Sequence, residues 1–204
     1  PDPATPIEES MEALLALQAA GKIGQIGVSN FSITETQRAL TASPLATFQG
    51  LMNLLEPNAE SYHGIPLEYR SHDEVLPFVA EHEMAFVPYS PIMQGLLSDS
   101  YDPSEIGPDD VRRANPNLFG PGAAAYRDAA DRLRDLAREI GRRLEQVAVN
   151  WLVAQPSMGP VIAGAQTVEQ IEATAGAGSW ELTGEELDAV TAAATIDPSR
   201  DEVP

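Results

Sequence analysis

Ser29 and Asn30 end one short apolar run, Gln49 lies in a second, Tyr89 and Ser90 end a third, and Gly164, Ala165 and Gln166 follow a fourth. Amides and hydroxyls recognise a neutral, planar hydrogen-bonding group, and an aromatic ring beside them offers a face for stacking. The Gly164 segment leads into a helix start at Thr167, whose unpaired N–H groups can hold an anion. Taken singly these residues have plainer readings: Ser29 and Asn30 fit a turn, and Tyr89 fits a packing aromatic. Other chemistry is pruned. His63, His72 and His82 lack zinc-site spacing, and without cysteine there are no thiolate ligands, disulfides or cysteine nucleophiles. Gly21, Gly24 and Gly27 lead into an apolar run, whereas dinucleotide-fingerprint glycines follow a strand and open a helix. No catalytic carboxylate pair stands out from the charged helix faces.

The elements that must position these residues are legible. Ser or Thr followed three residues later by Glu or Gln marks helix starts at Thr5, Ser32, Ser71, Thr167 and Thr183. The first helix should run to about Ala20, bury Met11, Leu14, Leu15 and Leu17, and stop at Gly21. Between helices, Ile23–Val28, Ala46–Leu51, Ala85–Tyr89 and Pro160–Ile162 are apolar with little alternation, the pattern of strands covered on both faces. Strand and helix alternate, so the expected fold is α/β with a parallel sheet, and ligands of such sheets collect at the carboxyl ends of the strands. Residues 90–122, with Pro91, Pro103, Pro108, Pro116 and Pro121, make a connection too long for a simple link and read as a lid. A helix follows with Ala130, Leu133, Leu136, Ala137 and Ile140 on one face and salt-bridged arginines on others; Gly141 interrupts it before an apolar helix around Trp151. Residues 198–204 read as a loose acidic tail.

The chain has 204 residues, 12 basic against 31 acidic, for a net charge of −19, and 43% are hydrophobic. That balance repels phosphate backbones and anionic lipid, so neither nucleic acid nor a membrane surface is an expected partner. No apolar run approaches a membrane span and no signal peptide is visible, which gives the expectation of a soluble, cytoplasmic protein. Lys22 is the only lysine, and the chain opens at Pro1 without methionine, as a piece of a longer protein would.

Four motifs in order, Thr5-Pro6-Ile7-Glu8-Glu9-Ser10-Met11-Glu12-Ala13-Leu14, Gly21-Lys22-Ile23 with Ile26-Gly27-Val28-Ser29-Asn30-Phe31, Tyr89-Ser90-Pro91-Ile92 with Gln94-Gly95-Leu96-Leu97, and Gly164-Ala165-Gln166-Thr167 with Glu169-Gln170, resemble the aldo-keto reductases. The resemblance implies an eight-stranded (β/α) barrel, a TIM barrel. It places residues 1–204 as the C-terminal half, strand-helix units five to eight, a single partial domain. It implies reduction of aldehydes or ketones by hydride transfer from NADPH or NADH, with an Asp, Tyr, Lys and His tetrad that would lie upstream of Pro1. No catalytic residue and no metal ligand is therefore assigned here; Lys22 precedes its strand, on the face opposite the strand ends.

By resemblance Ser29, Asn30 and Gln49 hydrogen-bond the nicotinamide carboxamide, and Tyr89 stacks on the ring. Ser90, Ile92, Gln94 and Gly95 line the pyrophosphate loop, while Gly164, Gln166 and Gln170 occupy the adenosine-phosphate region. The sequence departs from the pattern where a lysine often follows that loop, reading Asp99-Ser100-Tyr101. It departs again at Gln166, where a cation often meets the 2′-phosphate, and at Ala173-Thr174, where an acid and an amide are expected near the adenine. Arg112 and Arg113 are then the candidates for phosphate pairing, and the cofactor is NADP or NAD.

Three readings follow: part of a carbonyl reductase acting on a small carbonyl substrate, a non-catalytic binding or regulatory half-barrel, or one chain of a split enzyme. Half a barrel leaves an apolar inner face and two sheet edges without its N-terminal half, and such surfaces drive self-association. Sedimentation of residues 1–204 should show dimers or aggregates; a monomer that unfolds cooperatively would contradict the half-barrel reading.

Overall fold

The computed structural model describes residues 1–197. The expected acidic tail, 198–204, lies outside the described residues. In chain order the elements are α1 (Ile7–Ala19), β1 (Gly27–Ser29), α2 (Ile33–Ala42), β2 (Thr47–Leu51), β3 (Ser61–Tyr62), β4 (Ile65–Pro66) and a π-helical turn (Ser71–Val75) running into α3 (Leu76–Glu81). Then follow β5 (Ala85–Tyr89), a short α4 (Pro116–Phe119), α5 (Ala123–Ile140), α6 (Leu144–Val153), α7 (Val168–Ala175) and α8 (Gly184–Ala193).

β1, β2 and β5 form a parallel sheet in that order, with Ser29 beside Gln49 and Gln49 beside Val87. Side chains alternate across a strand, so this register defines two faces. On one, Val28, Phe48 and Phe86 are in register and buried under the helices, the two phenylalanines stacked at 6.2 Å between centroids. On the other, Ser29, Thr47, Gln49, Ala85 and Val87 are half-buried. The expected run Pro160–Ile162 does not form a fourth strand. It meets β5 only through single bridges, Met158 to Phe86 and Ile162 to Tyr89, because Ser157 at φ 57 and two prolines break the extended ladder. The open face differs from expectation too. It mixes hydroxyl, amide and small apolar groups, so it is less apolar than a buried strand pattern implies.

Helix starts obey local chemistry in part. Ser32 and Thr183 make full capping boxes with Glu35 and Glu186, and Thr167 accepts from Gln170 N–H. Thr5 instead bonds Asp2, leaving Pro6 as an uncapped N-cap, and Ser71 donates to the Leu51 carbonyl, so these two are not caps. α1 buries Met11 and Ile7, while Leu14 and Leu15 are half-buried and Leu17 is exposed. α5 buries Ala129, Ala130, Leu133 and Ala137 and ends at Gly141, whose φ of 75° closes the helix in the left-handed conformation. Its polar face carries Arg134–Asp131 and Arg138–Asp135 pairs three residues apart; the second is solvated as expected from sequence, while Arg134 is 15% exposed and also donates to the Ser98 carbonyl.

Residues 90–122 are packed down rather than free: Met93, Leu96, Leu97, Ile106 and Leu118 are buried. Asn117 in that segment donates to Glu56 Oε1 at 2.7 Å, while Asn53 donates to Glu56 Oε2 at 3.0 Å, tying the loop to the end of β2. Phe86→Ala should lower stability by about 3–5 kcal/mol, because it removes a fully buried β5 ring packed beside Phe48 under the helices. Urea unfolding of wild type and variant measures the difference.

Candidate functional site

Asn30 follows β1 in a left-handed conformation, φ 57, which a short amide side chain tolerates. Its N–H still continues the ladder to the Gln49 carbonyl at 3.1 Å. Its Oδ1 accepts from Tyr69 Oη at 2.6 Å and from Tyr89 Oη at 3.1 Å, and Tyr69 Oη in turn accepts from Leu51 N–H at 3.0 Å. Asn30 Oδ1 can only accept, so the single Tyr69 hydroxyl proton goes to it while a Tyr69 lone pair takes the Leu51 N–H. The amide oxygen is thereby fixed inward, leaving Nδ2 as the available donor at the rim. Burial pushes the Tyr69 hydroxyl pKa above its ordinary value, and burial, with Tyr69 nearby, does the same more strongly at Tyr89.

Beyond β5 the chain turns sharply, with Ser90, Met93 and Gln94 left-handed and Gly95 at φ 105, a value that requires glycine. The short β3–β4 hairpin lies against this turn. Tyr62 and Ser90 share a hydroxyl hydrogen bond of 3.1 Å, and Tyr62 meets the Tyr89 ring edge-on. Gln94 Nε2 donates to His63 Nε2 at 2.7 Å, while Gln94 Oε1 accepts from Asn115 at 2.9 Å. Both ends of the Gln94 amide are thus held. His72 and His82 are elsewhere, paired with Asp73 and stacked on Phe78 respectively.

A cleft of about 1040 Å³ runs along this loop. It brings together Tyr89, Ser90, Ile92, Gln94, Gly95, Gly164, Gln166 and Gln170, eight of the eleven residues singled out from sequence. Ser29 and Gln49 line a separate hollow of about 330 Å³ on the open sheet face, with Thr47 and Val87. Asn30 joins the two through its bond to Tyr89. Gln166 N–H donates to Gln170 Oε1 at 2.7 Å, and Gln170 N–H to Thr167 Oγ1 at 3.2 Å, so side chains take up two of the N–H groups around the start of α7.

Two further expectations change. Asp99, standing where a cation was expected, accepts the Leu144 N–H at 3.2 Å and so caps α6, whose own N-cap Arg143 makes no cap bond. Arg113 is not in the cleft lining: its guanidinium lies over Phe119 at 4.7 Å and bonds the Ile106 and Gly107 carbonyls. Arg112 does line the cleft, but both its Nε and Nη2 are engaged by Asp110, whose pKa that contact lowers to about 2. Tyr69, Tyr62, His63, Asn115 and Arg143 were not assigned to the site from sequence. None sits at the end of a strand of the parallel sheet, and only the folded chain shows their contacts. Among the described residues no group of three His, Cys, Asp or Glu is placed to hold a metal, and no helix is long and apolar enough to cross a membrane.

A parallel sheet with polar residues at its strand ends, beside a long cleft, defines an α/β protein in which such a rim is the usual place for a ligand. The chain belongs to the aldo/keto reductase family, which it matches over residues 1–195. It is 32% identical over 188 residues to aldo-keto reductase YhdN of Bacillus subtilis, covering 91% of this chain and 53% of that protein. The structure of glycerol dehydrogenase AKR11B4 from Gluconobacter oxydans superposes with a TM-score of 0.80 at 31% identity, over 97% of this chain and 59% of that one. The thermostable aldo-keto reductase Tm1743, at 23% identity and a TM-score of 0.67, shares the fold over 95% of this chain and 57% of its own. These neighbours make the fold of the TIM-barrel type, and the chain spans about half the length of the curated relatives it matches.

Tyr69→Phe should cost about 1–3 kcal/mol, because the buried Leu51 N–H loses its acceptor. Folding favours the neutral forms of Tyr69 and Tyr89, so their contribution is fully present below the unfolded value of 10.0 and is lost as pH rises through the folded values. Denaturant midpoints should therefore fall above about pH 10, less steeply in Tyr69→Phe than in wild type.

Proposed function

We propose that this chain supplies the nicotinamide-dinucleotide site of an NAD(P)H-dependent oxidoreductase that reduces aldehydes or ketones, and that the Asp, Tyr, Lys and His of the reaction are outside residues 1–204. When bound, the dinucleotide supplies the hydride. The observation that carries the reading is Asn30, whose amide is oriented by two tyrosines at the junction of the sheet hollow and the long cleft.

The residues present fit the group. Ser29, Gln49 and the Asn30 Nδ2 offer the mixed donors and acceptors that a carboxamide requires. The Tyr89 ring, held edge-on by Tyr62, offers a flat face for the nicotinamide beside Ser90. A cleft of about 1040 Å³ is at the upper end of the ~300–1,000 Å³ usual for small-molecule sites, as an extended dinucleotide demands. Gly164, whose missing Cβ faces open space, leaves room for adenosine beside Gln166 and Gln170. Lys22 belongs to the α1–β1 connection, at the opposite end of β1 from Asn30. Each tyrosine with a displaced pKa, namely 69, 89, 101 and 126, is displaced upward by burial, the reverse of what a proton-donating tyrosine needs. Both facts favour a cofactor-holding role over a proton-transfer role for this segment. The missing strands of the barrel are the partner this reading requires, and a cytoplasmic location belongs to the same proposal.

The full-length protein carrying this chain should quench tryptophan fluorescence saturably on titration with a reduced nicotinamide dinucleotide. Asn30→Ala should weaken binding by about tenfold, the loss of a hydrogen bond and of its two tyrosine anchors. No saturable signal with either NADH or NADPH would support the non-catalytic reading instead.

A further inference from the structure

Within the cofactor reading above, we propose that the adenosine end of the cleft selects the dinucleotide lacking a 2′-phosphate, with Arg143, Glu145 and Glu169 as the residues that determine the choice. Arg143 lines the cleft with Gln166, Gln170 and Thr174. It is the one guanidinium at this end of the lining among the described residues, and carboxylates surround it. Glu145 Oε1 lies 2.5 Å from its Nε, Glu169 Oε1 3.5 Å from its Nη1, and Asp99 Oδ2 3.9 Å from its Nε.

Glu145 cannot yield its place. Its side chain is 4% exposed, and its Oε2 accepts the Asp99 N–H at 3.1 Å, so the carboxylate is fixed from a second side. A 2′-phosphate brought to Arg143 would meet three carboxylates against one cation. The other guanidinium of the lining, Arg112, is held by two hydrogen bonds to Asp110. A ribose diol has the opposite requirement. Its hydroxyls need acceptors, and the exposed Glu169 carboxylate and the Gln166 side-chain amide can supply them, the same discrimination that an acidic residue makes at the ribose in other dinucleotide folds.

The test uses the full-length protein and two ligands that contain the adenosine end alone, ADP-ribose and its 2′-phosphorylated form, with calorimetric Kd values. The 2′-phosphate should weaken binding by about tenfold or more at low salt, and the gap should shrink at ~1 M salt as the charges are screened. Glu169 has an 81% exposed side chain, so Glu169→Lys should fold normally, and it should tighten binding of the phosphorylated ligand by about fivefold. Equal or tighter binding of the phosphorylated ligand to wild type, or a gap indifferent to salt and to Glu169→Lys, overturns the proposal. A parallel NADH fluorescence titration separates the two levels. If NADH binds and the 2′-phosphate is tolerated, only the selectivity fails; if NADH binds and neither fragment does, the adenosine end is misplaced and the selectivity falls with it. If NADH itself does not bind, the cofactor reading and this inference fail together.

Discussion

Asn30 Oδ1 receives two tyrosine hydroxyls, and through them the ends of three parallel strands are held in one arrangement. Asn30 directly follows β1, Tyr89 ends β5, and Tyr69 reaches β2 by accepting the Leu51 N–H. Parallel ladders alone fix the register of strands along the sheet but leave the side chains at their ends unconstrained. Here one amide oxygen removes that freedom. The cost is a left-handed residue, one buried and one half-buried tyrosine, tolerated because each hydroxyl has a partner. The chemistry of the rim follows: an oxygen held by two hydroxyls leaves the amide N–H₂ as the group free to donate.

The long loop after β5 depends on the same platform. Its sharp turn at Ser90–Gly95 is fastened to the β3–β4 hairpin through Ser90–Tyr62 and Gln94–His63, and to the chain beyond through Asn115. Further along, Glu56 collects Asn53 and Asn117. These are neutral or charge-assisted hydrogen bonds between short side chains, which position a surface loop without a large apolar interface. The acidic balance of the whole chain reappears locally as carboxylates that engage the cleft's arginines.

Much of this was legible because local rules coincide with the barrel's needs. Unalternating apolar runs located β1, β2 and β5, and the residues at their ends gave Ser29 and Gln49 in the sheet hollow and Tyr89 and Ser90 in the cleft; Gly164 and Gln166 follow the fourth run, and the resemblance to the aldo-keto reductases supplied the other four cleft residues. Thr5 and Ser71 misled because the capping pattern does not reveal that Asp2 or the Leu51 carbonyl competes for the hydroxyl. Pro160–Ile162 has strand composition, but backbone breaks reduce it to two bridges. Tyr69 and Arg143 were invisible for a different reason. Their roles come from contacts 39 residues away for Tyr69 with Asn30, and from a helix N-cap that leaves Arg143 facing the cleft. Spacing carries no record of either.

The central claim is that one dinucleotide lies across the rim and the cleft, with its carboxamide at Asn30. A crystal structure of the full-length protein with NADH bound tests it most directly. The account predicts the carboxamide within hydrogen-bond distance of Asn30 Nδ2 and Gln49, the nicotinamide ring on the face of Tyr89, and the adenosine beside Gln166 and Gln170. A dinucleotide bound elsewhere, or with its ring away from Tyr89 and its carboxamide away from Asn30, would contradict it.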